Sequence, residues 1–492
     1  MPSNREAFFR HAADNFLGLS FDDVLLIPRY SEVEPDKTSV AGKFSRGTSL
    51  GACIVSSPMD TVTGSTMGIA MADNGGLGII HRSMTIEQQV AQVVRVGTYR
   101  NAKVHHPRCV RTTDTLAQVE AMRERDKLPF HSFPVLDEHG RVVGLLTGSN
   151  FELCDTPTQT LVGAIMHREP LSASPDTTMD DAFVKMQQSQ KTLLLLLDED
   201  RRLAGMYVSS DVLRIRSGSQ SPVNTNNRGQ LRVGAAVGVR GDTVERAQAL
   251  HAAGVDVVVV DSAHGDSAGV HETVRAIKKS CTGLELVAGN ISTRDAANHL
   301  IGLGVDGLRV GQGPGSICTT RVVTGCGRAQ LAAIADCASV ALPVGVPVCA
   351  DGGIRESGDV VKALAAGASS VMLGNLLAGT DESPGQVVRG PAGKDVKHYR
   401  GMGSAEAMAE SESSRNRYSG KSVPEGVAGS VRYAGPVSRR LLELLGGIRS
   451  GLGYNGAASI AELHEVAHFE RLTTNGLRES HPHDIIAREE GQ

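Results

Sequence analysis

VDVVVVD (255 to 261) reads as a strand buried on both faces, five valines without polar alternation closed by an aspartate. Seven more short runs rich in branched residues end in or beside Gly, Asp, Ser or Asn. They are ACIVSS (52 to 57), GLGII (76 to 80), VGAAVGV (233 to 239), LELVAG (284 to 289), DGLRVG (306 to 311), VPVCAD (346 to 351) and SVMLGN (370 to 375). Ala- and Leu-rich helical stretches separate them, giving the βα alternation of a parallel sheet. Eight such strands close naturally into a (β/α)8 TIM barrel, so the expected class is α/β. An open doubly wound sheet is the rival. It lacks support because no G-x-G-x-x-G sits in a strand-to-helix turn with an acidic residue about twenty positions later.

The chain has 492 residues, too long for one ordinary domain. Its 50 basic and 54 acidic side chains leave a formal charge of -4, which offers no electrostatic footprint for nucleic acid or an anionic membrane. Aromatics are 3% with no Trp, so stacking platforms for single strands are scarce as well. No apolar run reaches the roughly eighteen residues of a membrane helix, and the start, MPSNREAFFRHAADNF, is charged where a signal peptide is apolar. Eight cysteines without a C-x-x-C pair fit reduced thiols rather than disulfides or zinc. A cytoplasmic protein acting on small molecules is expected.

Between the second strand, ending near 80, and the third, starting near 233, lies a gap too long for a loop. It holds a repeat: FPVLDEHGRVVGLLTGSNF (133 to 151) aligns with LLLLDEDRRLAGMYVSSDVL (194 to 213), matching Asp137 with Asp198, Gly144 with Gly205 and Asn150 with Asp211. Each copy reads as strand, Asp-Glu turn, strand and helix start. The expected division is therefore 1 to 101 barrel, 102 to 216 insert in two parts (about 105 to 160 and 163 to 216), and 217 to 492 barrel again. The pair resembles a Bateman module of two CBS domains, a family whose members often bind adenine or guanine nucleotides as regulators. The nucleotide signature of that family is split here, with Thr147 and Asn150 in the first copy against Val208 and Asp211 in the second. A regulatory nucleotide site and a purely structural or assembly module both remain open readings.

In a (β/α)8 barrel the residues just after each strand gather at one mouth. Here they are Ser57 and Asp60, His81, Asp261 with Ser262 and His264, Asn290, the loop 311 to 320, Asp351 with Gly352 and Gly353, and Gly374 with Asn375. In GQGPGSICTTR (311 to 321) glycines at every second position let backbone amides approach a ligand, and Ser316 adds a hydroxyl, which suits phosphate. Asp351 beside it could accept hydrogen bonds from ribose hydroxyls, making the ligand a nucleotide. Cys318, flanked by Thr319, Thr320 and Arg321, is the candidate nucleophile, while Cys326, Cys337 and Cys349 read as packing. The Ser-, Gly- and charge-rich stretch 399 to 430 reads as a mobile surface lid carrying Arg417 and Tyr418. GLRESHPHD (476 to 484) matches no zinc spacing and reads as a tail or a carbonyl-donating turn.

These motifs together resemble the IMP dehydrogenase / GMP reductase family over almost the whole chain. The resemblance rests on LSFDDVLLIP (19 to 28), SSPMDTVT (56 to 63), DSAHGDS (261 to 267), VAGN (287 to 290), RVGQGPGSICTTR (309 to 321), ADGGI (350 to 354), GNLLAGTDESPG (374 to 385), YRGMGS (399 to 404), SSRNRY (413 to 418), PEGV (424 to 427) and ESHPHD (479 to 484). For the dehydrogenase branch it implies that Cys318 adds to purine C2 of IMP, a hydride leaves to NAD, and water releases XMP, with Arg417 as base and Tyr418 and Thr320 beside it. It implies Ser316, Gly353 and Gly374 on phosphate, Asp351 on ribose, and Ser57, Met59, Gly352, Asn375, Tyr399, Met402, Gly403 and Glu425 around the nucleotide or its base. Asp261, Ser262, Asn290, Gly311 and Gly313 would face the cofactor. A monovalent cation, usually potassium, would sit among carbonyls of Gly313, Gly315 and Cys318 plus Glu479, Ser480 and His481 of a neighbouring chain, implying a homotetramer or octamer. The reductase branch shares the Cys loop and uses NADPH to convert GMP to IMP. Arg417-Tyr418 and ESHPHD favour the dehydrogenase, whereas the short flap SGKS before PEGV and LGGIRS (445 to 450) favour the reductase. A noncatalytic nucleotide-sensing assembly protein is the reading outside enzymology, and the intact Cys318, Thr320, Arg417 and Asp351 set argues against it.

Overall fold

The computed structural model describes residues 4–99, 103–104, 107–125, 128, 130–216, 223–390, 393–410 and 423–483. The chain divides into two compact units, Met1–Tyr99 with Ser219–Gln492, and Arg100–Gly218.

The larger unit is a closed barrel of eight parallel strands. We number them β1 (Ile54–Ser56), β2 (Leu77–Ile80), β3 (Val233–Val237), β4 (Val257–Asp261), β5 (Glu285–Ile291), β6 (Gly307–Val310), β7 (Val348–Asp351) and β8 (Ser370–Leu373). Each falls within, or two residues beyond, one of the eight runs read from the sequence. Helices alternate with the strands, so both strand faces are apolar for a physical reason: one packs inside the barrel and the other against helices. Period two sorts them. Val55, Leu77, Ile79, Ala236, Val257, Val259, Val287, Cys349 and Met372 share the inner cluster, while neighbours such as Ile54, Ile80, Val258, Val260, Leu286 and Ala288 join the outer one. Phe44 and Leu50, from a hairpin whose backbone bonds to Asp306 and Ser369 at the N-terminal ends of β6 and β8, complete the inner cluster. That end is plugged, which leaves the C-terminal end as the mouth.

After β8 the chain forms a three-stranded antiparallel sheet, β9 (Val388–Arg389), β10 (Asp395–Arg400) and β11 (Ala428–Arg432). Pairing of Tyr399 with Gly429 and Arg400 with Ala428 makes the two ends of the expected lid part of this sheet. Tyr399 and Arg400 are buried, so the reading of 399 to 430 as one surface excursion is corrected at both ends. Its Ser- and Gly-rich composition masked a short strand pair.

The smaller unit contains a four-stranded and a three-stranded sheet, each with its own apolar cluster. The two repeat copies form the hairpins Phe133–Leu136 with Val142–Leu146 and Leu193–Leu197 with Leu203–Val208, followed by helices Gly148–Glu152 and Ser209–Arg216. Asp137 and Asp198 close the turns by accepting backbone amides of Arg141 and Arg202. Asn150 spends its carboxamide locally, accepting from Thr147 N at 2.8 Å and donating to the Ile165 carbonyl at 2.8 Å.

Candidate active site

The mouth holds a cavity of about 340 Å³ lined by the ends of β1 and β4 to β8 and by the loops beyond them. Period two places its charged floor. Asp261 follows the inward Val257 and Val259, Asp351 follows the inward Cys349, and Arg309 lies between the outward Leu308 and Val310. The three side chains therefore meet inside the barrel. Arg309 donates from Nη1 to Asp261 Oδ1 at 2.8 Å and from Nε to Asp351 Oδ2 at 2.9 Å, each partner being largely buried. In the barrel register Gly289 stands between Asp261 and Arg309. A Cβ on Gly289 would run into the Arg309 carbonyl and lie 2.8 Å from its Cβ, so glycine there lets β5 and β6 approach at this register. Asn290 completes the network, donating from Nδ2 to Asp351 Oδ2 at 2.7 Å and to the Gly311 carbonyl at 2.8 Å.

The thiol of Cys318 lies on the same cavity. Its loop is held on both sides: Cys318 N donates to the Gly315 carbonyl at 3.0 Å, and the strand-like stretch 425–427 bonds to it through Thr319 N to Glu425 O and Val427 N to Ile317 O. Cys318 Sγ sits 3.2 Å from Thr320 Oγ1, and Thr320 Oγ1 donates to Glu425 Oε2 at 3.0 Å. A sulfur, a hydroxyl and a carboxylate thus form a continuous chain for moving a proton. Burial raises the thiols of Cys53 and Cys349 to about 12 and pushes Cys337 up as well, so these three are inert packing groups. Cys326 is exposed, which corrects its reading as a packing residue. It follows the C-cap glycine of a short helix, Thr320–Thr324, and so faces solvent.

Part of the lining suits an anion. Ser316, Gly352, Gly353 and Gly374 form it, and Gly352 and Gly353 have φ of +87° and +79°. Tyr399, buried on β10 beside Ser316, has its phenol lifted to about 12 by burial, which keeps it neutral. A Cβ on Gly374 would come 2.9 Å from Tyr399 Oη and 3.3 Å from Met59 Sδ, so the narrow gap between β8 and β10 needs glycine. Ser57, Met59, Asn375, Met402, Gly403 and Glu425 also line the cavity, with Gly311, Gly313 and Gly315 on the Cys loop side.

Other expected residues lie elsewhere. Ser262 is not among the residues that line the cavity, and its hydroxyl is engaged with the amide and carbonyl of His264. Asp60 pairs with Arg400 at 2.6 Å behind the mouth, and His81 is buried beside them. Arg417 and Tyr418 fall outside the described residues. Glu479, Ser480 and His481 close the helix Thr474–Glu479 and do not line this chain's cavity. Arg309 and Gln330 were missed by the sequence reading. Gln330 donates to the carbonyls of Val310 and Asp351, both at 3.0 Å, and so steadies the β6–β7 rim. A single Arg in an otherwise apolar strand was the available signal for Arg309.

The family model for the IMP dehydrogenase / GMP reductase domain matches residues 18–483. The chain belongs to the IMP dehydrogenase / GMP reductase family. Inosine-5'-monophosphate dehydrogenase of Halalkalibacterium halodurans is 44% identical over 475 residues, covering 95% of this chain and 96% of that protein. The enzyme of the same name from Aquifex aeolicus is 43% identical over 479 residues, with 96% of each chain covered. Among solved structures, the C318A variant of GMP reductase from Trypanosoma brucei in complex with guanosine 5'-monophosphate superposes with a TM-score of 0.86 at 38% identity, covering 95% of this chain and 98% of that one. Membership in the IMP dehydrogenase / GMP reductase family accounts for the barrel and for a cavity of nucleotide size. Among the described residues no helix is long and apolar enough to cross a membrane.

Proposed function

We propose that the chain is an NAD-dependent IMP dehydrogenase of guanine nucleotide synthesis. The observation that carries the chemistry is the chain Cys318 Sγ, Thr320 Oγ1 and Glu425 Oε2 opening on one cavity with an anion-suited wall. Cys318 Sγ attacks purine C2 and its proton passes to solvent or the relay; the C2 hydride leaves to NAD, which supplies the electron-pair acceptor. The resulting thioimidate on Cys318 takes up water at C2. One water proton is removed, the C–S bond breaks, and XMP leaves while the thiolate regains a proton. Thr320 and Glu425, linked to Cys318 by hydrogen bonds, are assigned to handling that proton. Arg417 and Tyr418 are assigned to the same hydrolytic step on the family resemblance.

Ser316, Gly352, Gly353, Gly374 and Tyr399 are assigned to the phosphate, and Asp351 to the ribose hydroxyls, with Ser57, Met59, Asn375, Met402 and Gly403 enclosing the base. Asp261, Asn290, Gly311 and Gly313 are assigned to the nicotinamide side. The Asp351 carboxylate, already oriented by Arg309 and Asn290, fits a diol. Potassium would be held by carbonyls of Gly313, Gly315 and Cys318 with Glu479, Ser480 and His481 of a neighbouring subunit in a homotetramer, and the Gly315 carbonyl already accepts Cys318 N. The repeat pair in 102 to 216 is assigned as a CBS module for purine nucleotide effectors. The ribose-holding carboxylate of such a module is assigned to Asp211 of the second copy, because the first copy has Asn150 at that position. The enzyme is assigned to the cytoplasm.

A second reading is GMP reductase, favoured by the likeness to the Trypanosoma brucei reductase structure. There NADPH delivers the hydride to C2 of GMP and ammonia departs. Nicotinamide absorbance separates the two: growth with IMP plus NAD supports the dehydrogenase, whereas loss with GMP plus NADPH and no growth in the first cuvette establishes the reductase.

A further inference from the structure

Asp266, His271 and His299 bring three donor atoms within 4.8 Å of one another on the outside of the barrel. Asp266 belongs to the loop that leaves β4, one residue before Ser267, the N-cap of the helix Ala268–Ser280 that carries His271. His299 stands in the last turn of the next helix around the barrel, Arg294–Gly302. Both imidazoles aim at one carboxylate: His271 Nε2 is 2.9 Å from Asp266 Oδ1, and His299 Nδ1 is 3.0 Å from Oδ1 and 3.2 Å from Oδ2. The rings stand 6.0 Å apart at 71°, edge to face, so neither blocks the space between the two nitrogens.

We propose that these three residues bind a divalent transition ion of the zinc class. A tetrahedral ion bonded at about 2.0–2.1 Å keeps its ligands about 3.3 Å apart, so the two histidine–aspartate separations need to open by only a few tenths of an ångström, and the two imidazole nitrogens already lie within 4.8 Å of each other. Two imidazoles and one carboxylate are borderline donors, which select zinc, cobalt or nickel over magnesium and calcium. The side chains are 24%, 22% and 57% exposed for Asp266, His271 and His299, so an ion can enter from solvent and water completes its shell. Its effect is mechanical. Asp266 is three residues beyond Ala263, which lines the cavity, and Gln312 of the Gly-rich loop donates to the Ala263 carbonyl at 3.2 Å. An ion at Asp266 ties the β4 loop to two neighbouring helices and limits its freedom, without entering the chemistry.

The test uses the full-length chain, stripped with a chelator and titrated with zinc by calorimetry and with cobalt by visible absorption. One ion per chain is expected, with a cobalt spectrum free of thiolate charge transfer and an upward shift of the thermal transition. Loss of an outer-shell partner alone weakens metal sites roughly 10- to 100-fold, so His299→Gln and His271→Gln should each weaken zinc by about 100-fold. His299 is the more exposed of the two, so its replacement leaves the fold intact and keeps the comparison interpretable. Unchanged affinity in these variants, a thiolate band with cobalt, or no zinc binding at all overturns the proposal. None of these readouts depends on which reaction the barrel catalyses.

Discussion

Arg309 Nε donates to Asp351 Oδ2 at 2.9 Å inside the barrel mouth, while the other arm of the same guanidinium holds Asp261. One cation on β6 therefore neutralises two carboxylates, one on the adjacent β7 and one on β4 across the intervening β5, and orients the one assigned to the ribose. Arg309→Met removes the cation that both buried carboxylates share, a change that costs about 3–5 kcal/mol in comparable pairs. We expect a lowered unfolding midpoint and a KM for the nucleotide raised well beyond any loss in kcat. Arg309→Lys should recover stability in part but not KM, since an ammonium cannot span both partners in fork geometry. Equal effects on KM and kcat in the Lys variant would contradict a positioning role.

Thr320→Val removes the hydroxyl that links Cys318 to Glu425. The expected outcome is a steady-state rate reduced by about 10²- to 10⁴-fold with the first turnover of hydride transfer preserved as a burst in stopped flow. A burst that falls in step with the steady state would move Thr320 to the thiol-addition step instead.

Gly374→Ala places a methyl group 2.9 Å from Tyr399 Oη. Tyr399 must shift, and the lining assigned to the phosphate is disturbed. The nucleotide should bind at least tenfold more weakly in calorimetry, with Gly374→Ala/Tyr399→Phe recovering part of the loss because the clashing oxygen is gone.

His81 is a pH-dependent weak point. Burial is the main cause of its depressed pKa, about 4 against 6.5 for the ordinary residue, with Asp60 pulling it up and Arg400 pushing it down. Between those values the unfolded chain binds a proton that the native chain does not. Its contribution is therefore complete above about pH 6.5 and is lost as the pH falls toward 4, amounting to roughly 3 kcal/mol over the window. Thermal midpoints measured from pH 7 to pH 4.5 should fall less steeply in His81→Gln, whose amide oxygen can still accept Ser83 N. Parallel slopes would contradict this.

Most of the barrel was legible because its eight strands are short branched runs with polar ends, a pattern that local chemistry alone produces. The Cys318 loop was legible for a similar reason, since its glycines and hydroxyls are consecutive. Arg309 was not, because its partners Asp261 and Asp351 are brought to it by the inward parity of three separate strands. Tyr399 was assigned to the site by resemblance, yet its stretch read as lid because Ser and Gly further on dominated the composition. The trio Asp266, His271 and His299 draws on a loop and two helices, so no spacing in the chain announces it. Arg417 and Tyr418, singled out by sequence, rest on the resemblance alone.

The most direct measurement of the central claim is a rapid quench of the full-length chain with IMP and NAD, followed by intact mass and nucleotide analysis, beside the Cys318→Ala variant. The account predicts a purine nucleotide adduct that maps to Cys318, XMP in the supernatant, and neither in the variant. Turnover to XMP by Cys318→Ala, or reduced nicotinamide formed without any adduct on Cys318, would contradict it.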